Sequence, residues 1–322
     1  MHSPATKISS SNKTAVLLLA HGSPDSAEDV PEFLLKVTRG RTLPSEVIHE
    51  IKHRYESIGR SPLTELSMKQ GQLLSRRIAL PVYVGMRNWN PFVADVLHEM
   101  ADEGVEHAVV VCLAPQNSRT SVGLYRSALG NEDQLPFTLD FVESWHDHPL
   151  LIKAFAEKLT AGLANACSEF GAKLPVIFTA HSVPQRTIAE GDPYELQAKE
   201  TAALVAGEAS LKPRDWKFAF QSQGTSGGPW LGPMVEEAIL ALKAQGHRGV
   251  FVQPIGFLCD HVEVLYDIDI AFKKFAAAEG MRLWRPESLN DSSLLTAALA
   301  DIVTSRIGTI VEPSPFPVRT TN

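Results

Sequence analysis

Cysteine is scarce in this chain. Three stand in 322 residues, at Cys112, Cys167 and Cys259. An odd number so widely spaced excludes a disulfide framework, and no CxxC pair offers a zinc or cluster spacing. A reducing cytoplasm is the compartment that fits. Long apolar runs are also lacking. Stretches such as 16–20 and 108–115 fall far below the ~20 residues of a membrane-spanning helix. Residues 1–13 are polar and serine-rich and have no apolar core of a secretion signal. There is no surplus of positive charge: 30 Lys and Arg against 37 Asp and Glu leave a net charge of −7, which argues against nucleic acid as a partner. A phosphate loop and a Gly-x-Ser-x-Gly elbow are both missing, and Gly224-Thr-Ser-Gly-Gly228 does not match a dinucleotide fingerprint. Nucleotide-dependent enzymes and serine hydrolases are therefore disfavoured.

What remains is an ordinary globular composition, 44% hydrophobic and 21% charged. The length suggests about two domains and a core that needs no staples. Both ends read as loose tails; residues 312–322 carry three prolines and cannot continue a helix. Comparing the chain with itself is more informative. Val16-Leu-Leu-Leu-Ala-His-Gly-Ser-Pro24 matches Val176-Ile-Phe-Thr-Ala-His-Ser-Val-Pro184 at an offset of 160 residues. Second apolar runs follow at 81–87 and 216–222. After each comes a tryptophan, Trp89 or Trp230, then a proline, Pro91 or Pro233, expected to open a helix over 92–103 or 234–245 that ends at Gly104 or Gly246. Third runs lie at 108–115 and 249–255, and fourth runs at 138–143 and 282–285. Apolar runs alternating with amphipathic helices indicate parallel strands covered on both faces. The expected fold class is α/β: two similar doubly wound Rossmann-like domains, 14–146 and 147–311, each with a four-stranded parallel sheet flanked by helices, and a cleft between them. Ligands of such sheets bind at strand carboxyl ends, where His21 and His181 both stand.

Three constellations carry candidate chemistry. His181 ends the first strand of the second half, and imidazole both ligates metal and titrates near neutrality. Asp260-His-Val-Glu-Val-Leu-Tyr-Asp267 reads as a helix start with Asp260 as N-cap. Val262, Leu265, Tyr266 and Phe272 form its apolar stripe, while Glu263, Asp267 and His261 suit a cation. The stretch from Thr38-Arg-Gly-Arg41 through Lys52-His-Arg-Tyr55 to Arg60-Ser-Pro-Leu63 is basic in an acidic chain. It reads as a solvated helical face or as a site for carboxylates, which arginine forks hold in pairs. Tyr55 and Tyr125 could add planar contacts.

At these residues the chain resembles the ferrochelatases, over about 16–311. The matching pieces are Ala-His-Ser-Val-Pro184, Gln221-Ser-x-Gly, Pro229-Trp-Leu-Gly-Pro233, Pro254-x-Gly-Phe and Asp260-His-x-Glu-Val-Leu-Tyr-Asp267. The first half is similar to the coproporphyrin III type of Gram-positive bacteria in Thr38-Arg-Gly-Arg41, Arg54-Tyr-Glu-Ser-Ile-Gly59 and Ser61-Pro-Leu63. The resemblance implies a chelatase-like fold and insertion of ferrous iron into a porphyrin with loss of two pyrrole protons. It places the catalytic, metal-binding pair at His181 and Glu263, and substrate contacts at Arg54, Tyr55, Ser61, Tyr125 and, in place of a family tyrosine, His21. Two other departures are Thr38, where relatives have arginine, and Ala271, where they have a third acid. The expectation is a cytoplasmic, monomeric coproporphyrin III ferrochelatase. Its partners are the porphyrin and Fe(II), the iron being a substrate. It has no permanently bound cofactor, no [2Fe–2S] cluster and no transmembrane segment. The alternatives are the same chemistry on protoporphyrin IX, or a non-catalytic haem- or metal-binding protein.

Overall fold

The computed structural model describes residues 13–224 and 228–310. The tails read above, residues 1–12 and 311–322, and residues 225–227 of the glycine-rich stretch lie outside the described residues. Eight strands form: β1 (Thr14–Ala20), β2 (Val82–Met86), β3 (His107–Cys112), β4 (Thr138–Val142), β5 (Val176–His181), β6 (Trp216–Gln221), β7 (Gly249–Pro254) and β8 (Arg282–Trp284). They make two four-stranded sheets in the orders β2-β1-β3-β4 and β6-β5-β7-β8, with every pairing parallel. The second sheet repeats the order of the first. In each, the chain leaves the first strand to one side and returns to its other side for the third. The crevice of a doubly wound sheet opens at that reversal, which is the carboxyl end of β1 in one half and of β5 in the other.

The continuous apolar runs are explained by burial on both sheet faces. Along β1, Val16 and Leu18 face one core while Ala15, Leu17 and Leu19 face another. The first of these cores runs on through Phe155, Phe178, Phe220 and Phe251, so a single apolar interior joins the halves. The helix Ser293–Ile310 reinforces this joint. It packs on the helix Pro149–Phe170 and crosses back onto the helix Leu63–Ile78 and β3. The two sheets are thus fixed against each other, and their strand ends share one cleft. Among the described residues, no helix is long and apolar enough to cross a membrane.

One expectation needs correction. Pro91 and Pro233 do not open helices, which begin at Val93 and Val235. Each proline lies two residues earlier, and its carbonyl accepts from the second strand of its half: Met86 N to Pro91 O, and Phe220 N to Pro233 O, both at 2.7 Å. A proline carbonyl remains a free acceptor although its nitrogen cannot donate. The two prolines extend the strand ladders, and they do so identically in the two halves.

Candidate active site

Three histidines reach the cleft, each held in the same way. His181 Nδ1 meets the carbonyl of Ser182. His21 Nδ1 lies 3.0 Å from the carbonyl of Gly22, and His261 Nδ1 lies 3.1 Å from that of Cys259. A carbonyl only accepts, so Nδ1 carries the hydrogen of the neutral ring, and Nε2 is left with its lone pair. Burial lowers the pKa of His21 below its ordinary value, against the Gly22 bond and the Glu263 charge. Burial does the same to His261. The bend after β1 requires glycine at 22. Its φ is +83°, and a Cβ there would come within 2.9 Å of Trp89 N. The loop after His21 therefore lies tight on Trp89, while the His21 ring meets Phe33 edge-on at 5.8 Å.

Glu263 faces His181, with Oε2 3.7 Å from Nε2. That oxygen is buried and accepts no hydrogen bond among the described residues. A third of the side chain still meets the water of the cleft. Burial raises the Glu263 pKa, but His181, His261, His21 and Arg54 together outweigh it and hold the carboxyl below its usual range. The result is an anion with an open coordination position beside an imidazole lone pair. Among the described residues, no three His, Cys, Asp or Glu side chains close into a metal cage. An open pair suits an ion that is to be passed on.

The backbone around Glu263 departs from the expected helix. His261, not Asp260, is the extended residue before Val262–Leu265. Asp260 instead accepts from Arg285 Nη1 at 3.0 Å, Ser288 Oγ at 3.0 Å and Asn290 Nδ2 at 2.8 Å. Residues Asp267–Phe272 then form a π-turn, with Ala271 N bonded to Tyr266 O at 2.9 Å. The buried apolar stripe is Val264, Ile268 and Phe272, not the expected Val262, Leu265, Tyr266 and Phe272. Such turns collect at functional sites. Glu263 and Asp267 stand one α-turn apart just ahead of it. The Asp267 carboxylate accepts from Ser222 Oγ and lies 3.4 Å from Arg54 Nη1. Burial, aided by the nearby Glu263 charge, pushes its pKa up to about 6. Gln221 Nε2, from the end of β6, donates to Glu263 O at 2.9 Å.

The remaining expected residues divide. Arg54, on the helix Ser45–Ile58, reaches across the cleft to Asp267 and lies over the Tyr266 ring at 5.3 Å. Tyr55 is buried, its phenol oxygen 3.5 Å from Ser23 Oγ. Burial pushes that phenol up to about 12, and Glu263 adds to the shift. Tyr125 is also buried, and its phenol is raised by burial and further by Glu263. His21, Tyr55 and Tyr125 from the first half thus sense the same carboxylate as His181 from the second. Ser61 is not brought into this group. It is buried, and its Oγ accepts from Leu63 N at 3.5 Å at the start of the helix Leu63–Ile78. Thr38, one of the departures, ends the helix Val30–Val37, and its hydroxyl lies 2.8 Å from Leu34 O and 2.5 Å from Arg41 O, sharing its one hydrogen between these acceptors. Ala271 lines a surface cavity of about 510 Å³ together with His53, Tyr266, Ile270 and Lys274.

Sequence reasoning missed Arg87, which follows Met86 in β2 as Gln221 follows Phe220 in β6. It is half-buried. Burial, with the like charge of Arg39 adding to it, lowers its pKa below the usual guanidinium range despite Tyr125. The repeat itself was the signal that would have found it.

The ferrochelatase family model matches residues 13–307. The ferrochelatase of Acidobacterium capsulatum is 53% identical over 307 residues, covering 91% of this chain and 94% of its own. The coproporphyrin III ferrochelatase of Geobacillus sp. (strain WCH70) is 35% identical over 309 residues, covering 92% of this chain and 98% of its own. Among solved structures, SirB from Bacillus subtilis with Fe3+ matches with a TM-score of 0.55 at 12% identity, over 91% of this chain and 95% of its own. That likeness shows a chelatase fold. With family model and relatives spanning nearly the whole chain, from the first strand to the last helix, the protein belongs to the ferrochelatase family.

Proposed function

We propose that this protein inserts ferrous iron into coproporphyrin III. The observation that carries the reading is the open His181–Glu263 pair, 3.7 Å apart, at the crevice where three imidazole lone pairs and an ionised carboxylate converge. A porphyrin lying in the cleft has His181 and Glu263 on one face and His21 on the other. For every Fe(II) that enters the macrocycle, two pyrrole protons leave. His181 Nε2 and the Glu263 carboxylate can each ligate iron or take a proton, and both sit on the face from which iron arrives. Binding energy from peripheral carboxylates supports the bending that exposes pyrrole lone pairs.

The choice of a tetracarboxylate rests on the first half. Arg39 and Arg41 are exposed, and neither pairs with an acid among the described residues. Arg54 stands at the cleft with Arg87 as a fourth cation. Relatives named as coproporphyrin III ferrochelatases, at 33–35% identity, support the same choice. We propose further that iron is substrate and that the enzyme carries no resident cofactor or iron–sulfur cluster. Cluster ligation needs thiolates, and burial raises the thiols of Cys112 and Cys259, the latter to about 12. A monomer working in the cytoplasm completes the proposal. The deciding experiment measures Fe(II) insertion into coproporphyrin III and protoporphyrin IX side by side. Faster turnover of coproporphyrin III is expected. Faster turnover of protoporphyrin IX would reverse the substrate assignment, and tight porphyrin binding without turnover would make the protein a carrier.

A further inference from the structure

The halves also meet through polar groups, and one buried carboxylate bridges them. Asp192 precedes the helix Tyr194–Glu208, and its side chain is 1% exposed. Its Oδ1 accepts from Tyr194 N at 3.0 Å, capping that helix. Its Oδ2 accepts across the seam, from Arg119 N at 2.7 Å and Ser118 Oγ at 3.1 Å. Each partner leads to the cleft. Ser118 O accepts from Ser121 N and Gly123 N, which sets the start of the helix Val122–Ala128 that carries Tyr125. On the other side, Tyr194 OH donates to His181 O at 3.0 Å. The Arg119 guanidinium closes the seam by donating to the Glu190 carboxylate and to Glu190 O, both at 2.7 Å.

We propose that Asp192 is a positioning residue that aligns the porphyrin side of the cleft, through Ser118, Arg119 and the Tyr125 helix, against the metal side, through Tyr194 and His181. The proposal rests on the functional reading above. The bonds to Asp192 are charge-assisted and buried, so they hold more firmly than neutral ones. The two oxygens have separate duties, and they can be cut separately. In Asp192→Asn the amide oxygen can still cap Tyr194 N, but an amide NH2 cannot accept from Arg119 N. That variant loosens the porphyrin side alone. Tyr194→Phe keeps the buried ring and removes only the bond to the His181 carbonyl, so it loosens the metal side alone.

The test measures porphyrin binding by fluorescence quenching with coproporphyrin III, together with KM for Fe(II) and kcat, in both variants. Asp192→Asn should raise the porphyrin Kd about tenfold, as expected for one lost charge-assisted bond, and leave the Fe(II) KM within about twofold. Tyr194→Phe should do the opposite, lowering kcat or raising the Fe(II) KM severalfold with porphyrin Kd unchanged. A residue that merely supports the fold would lower thermal stability without splitting the two constants. Equal effects on both constants, or none on the porphyrin Kd, would overturn the proposal. If Asp192→Asn fails to fold, Ser118→Ala decides: a porphyrin Kd raised about threefold supports the seam, and an unchanged one refutes it. Wild-type protein that binds porphyrin but inserts no iron would refute the functional reading instead.

Discussion

Asp267 gives a stability test of the site's electrostatics. Its side chain is 10% exposed, and burial raises its pKa from 3.8 to about 6. A carboxyl whose pKa is raised in the fold binds more protons folded than unfolded. Stability therefore falls as pH climbs from about 4 through 6, then stays level. At 1.36 kcal/mol per unit, the ionised form costs the fold about 3 kcal/mol. Asp267→Asn removes that cost. It also gives up one of the two contacts the carboxylate makes, with Ser222 Oγ and Arg54 Nη1, which returns roughly 1 kcal/mol. The net expectation is a variant more stable than wild type by about 2 kcal/mol at pH 8 and slightly less stable than it at pH 4, where little ionisation cost remains to offset the lost contact. Urea unfolding followed by circular dichroism at both pH values measures this. A variant equally stabilised at both pH values, or less stable than wild type at pH 8, would show that the Arg54 ion pair outweighs burial and refute the reasoning. A site that tolerates such a cost holds its acid for chemistry, not for folding.

The other predictions follow from the same geometry. His181→Ala and Glu263→Gln should each reduce iron insertion at least about a hundredfold with thermal unfolding little changed, because both side chains line the cleft and neither packs in a core; near-normal turnover by either soluble variant would end the assignment. The preference for coproporphyrin III over protoporphyrin IX should shrink as salt rises, since exposed charge pairs are screened over ~10 Å at 0.1 M. Arg54→Ala should erode it at low salt, and a preference insensitive to both would rule out the basic segment. His21→Ala should change the visible and resonance Raman spectra of the bound iron–porphyrin product while leaving substantial insertion activity, because the proposed arrangement puts His21 on the porphyrin face opposite the His181–Glu263 pair. An unchanged product spectrum would reduce His21 to a strand-end residue.

The strands were legible because the inner ones, β1, β3, β5 and β7, are apolar runs buried on both faces, and their ends fell within a few residues of expectation. Repeat matching also located His21 and His181 at equivalent ends. Where tertiary contacts decide, the sequence was silent. Asp260 has the spacing of a cap, yet Arg285, 25 residues later, takes its carboxylate. The stripe expected at Val262, Leu265, Tyr266 and Phe272 lies instead at Val264, Ile268 and Phe272, where the helix packs on the strand residues Ile177, Val250 and Val252. Ser61 carried a family role but sits at a helix start, apart from the residues that sense Glu263. Asp192 could not be picked out, because its partners are 73 and 74 residues away and no local pattern marks them.

The repeat also bears on why only one histidine of the pair stands against a carboxylate. His21 and His181 leave equivalent strands, and each donates Nδ1–H to the next residue's carbonyl, so both present Nε2 to the cleft. Their neighbours differ. After β6 the second half places Gln221 and Ser222, which hold Glu263 O and Asp267 and so draw an acidic segment against His181. After β2 the first half places Arg87 and Asn88. Asn88 Nδ2 donates to His21 O at 3.1 Å, Phe33 meets the His21 ring edge-on, and Arg87 adds positive charge near His21, which also feels Glu263. An anion beside imidazole attracts a divalent cation, and a cation beside imidazole repels it while attracting a carboxylate. In the proposed reading, the same backbone geometry serves iron in the half that carries His181 and Glu263 and the porphyrin carboxylates in the half that carries Arg54 and Arg87.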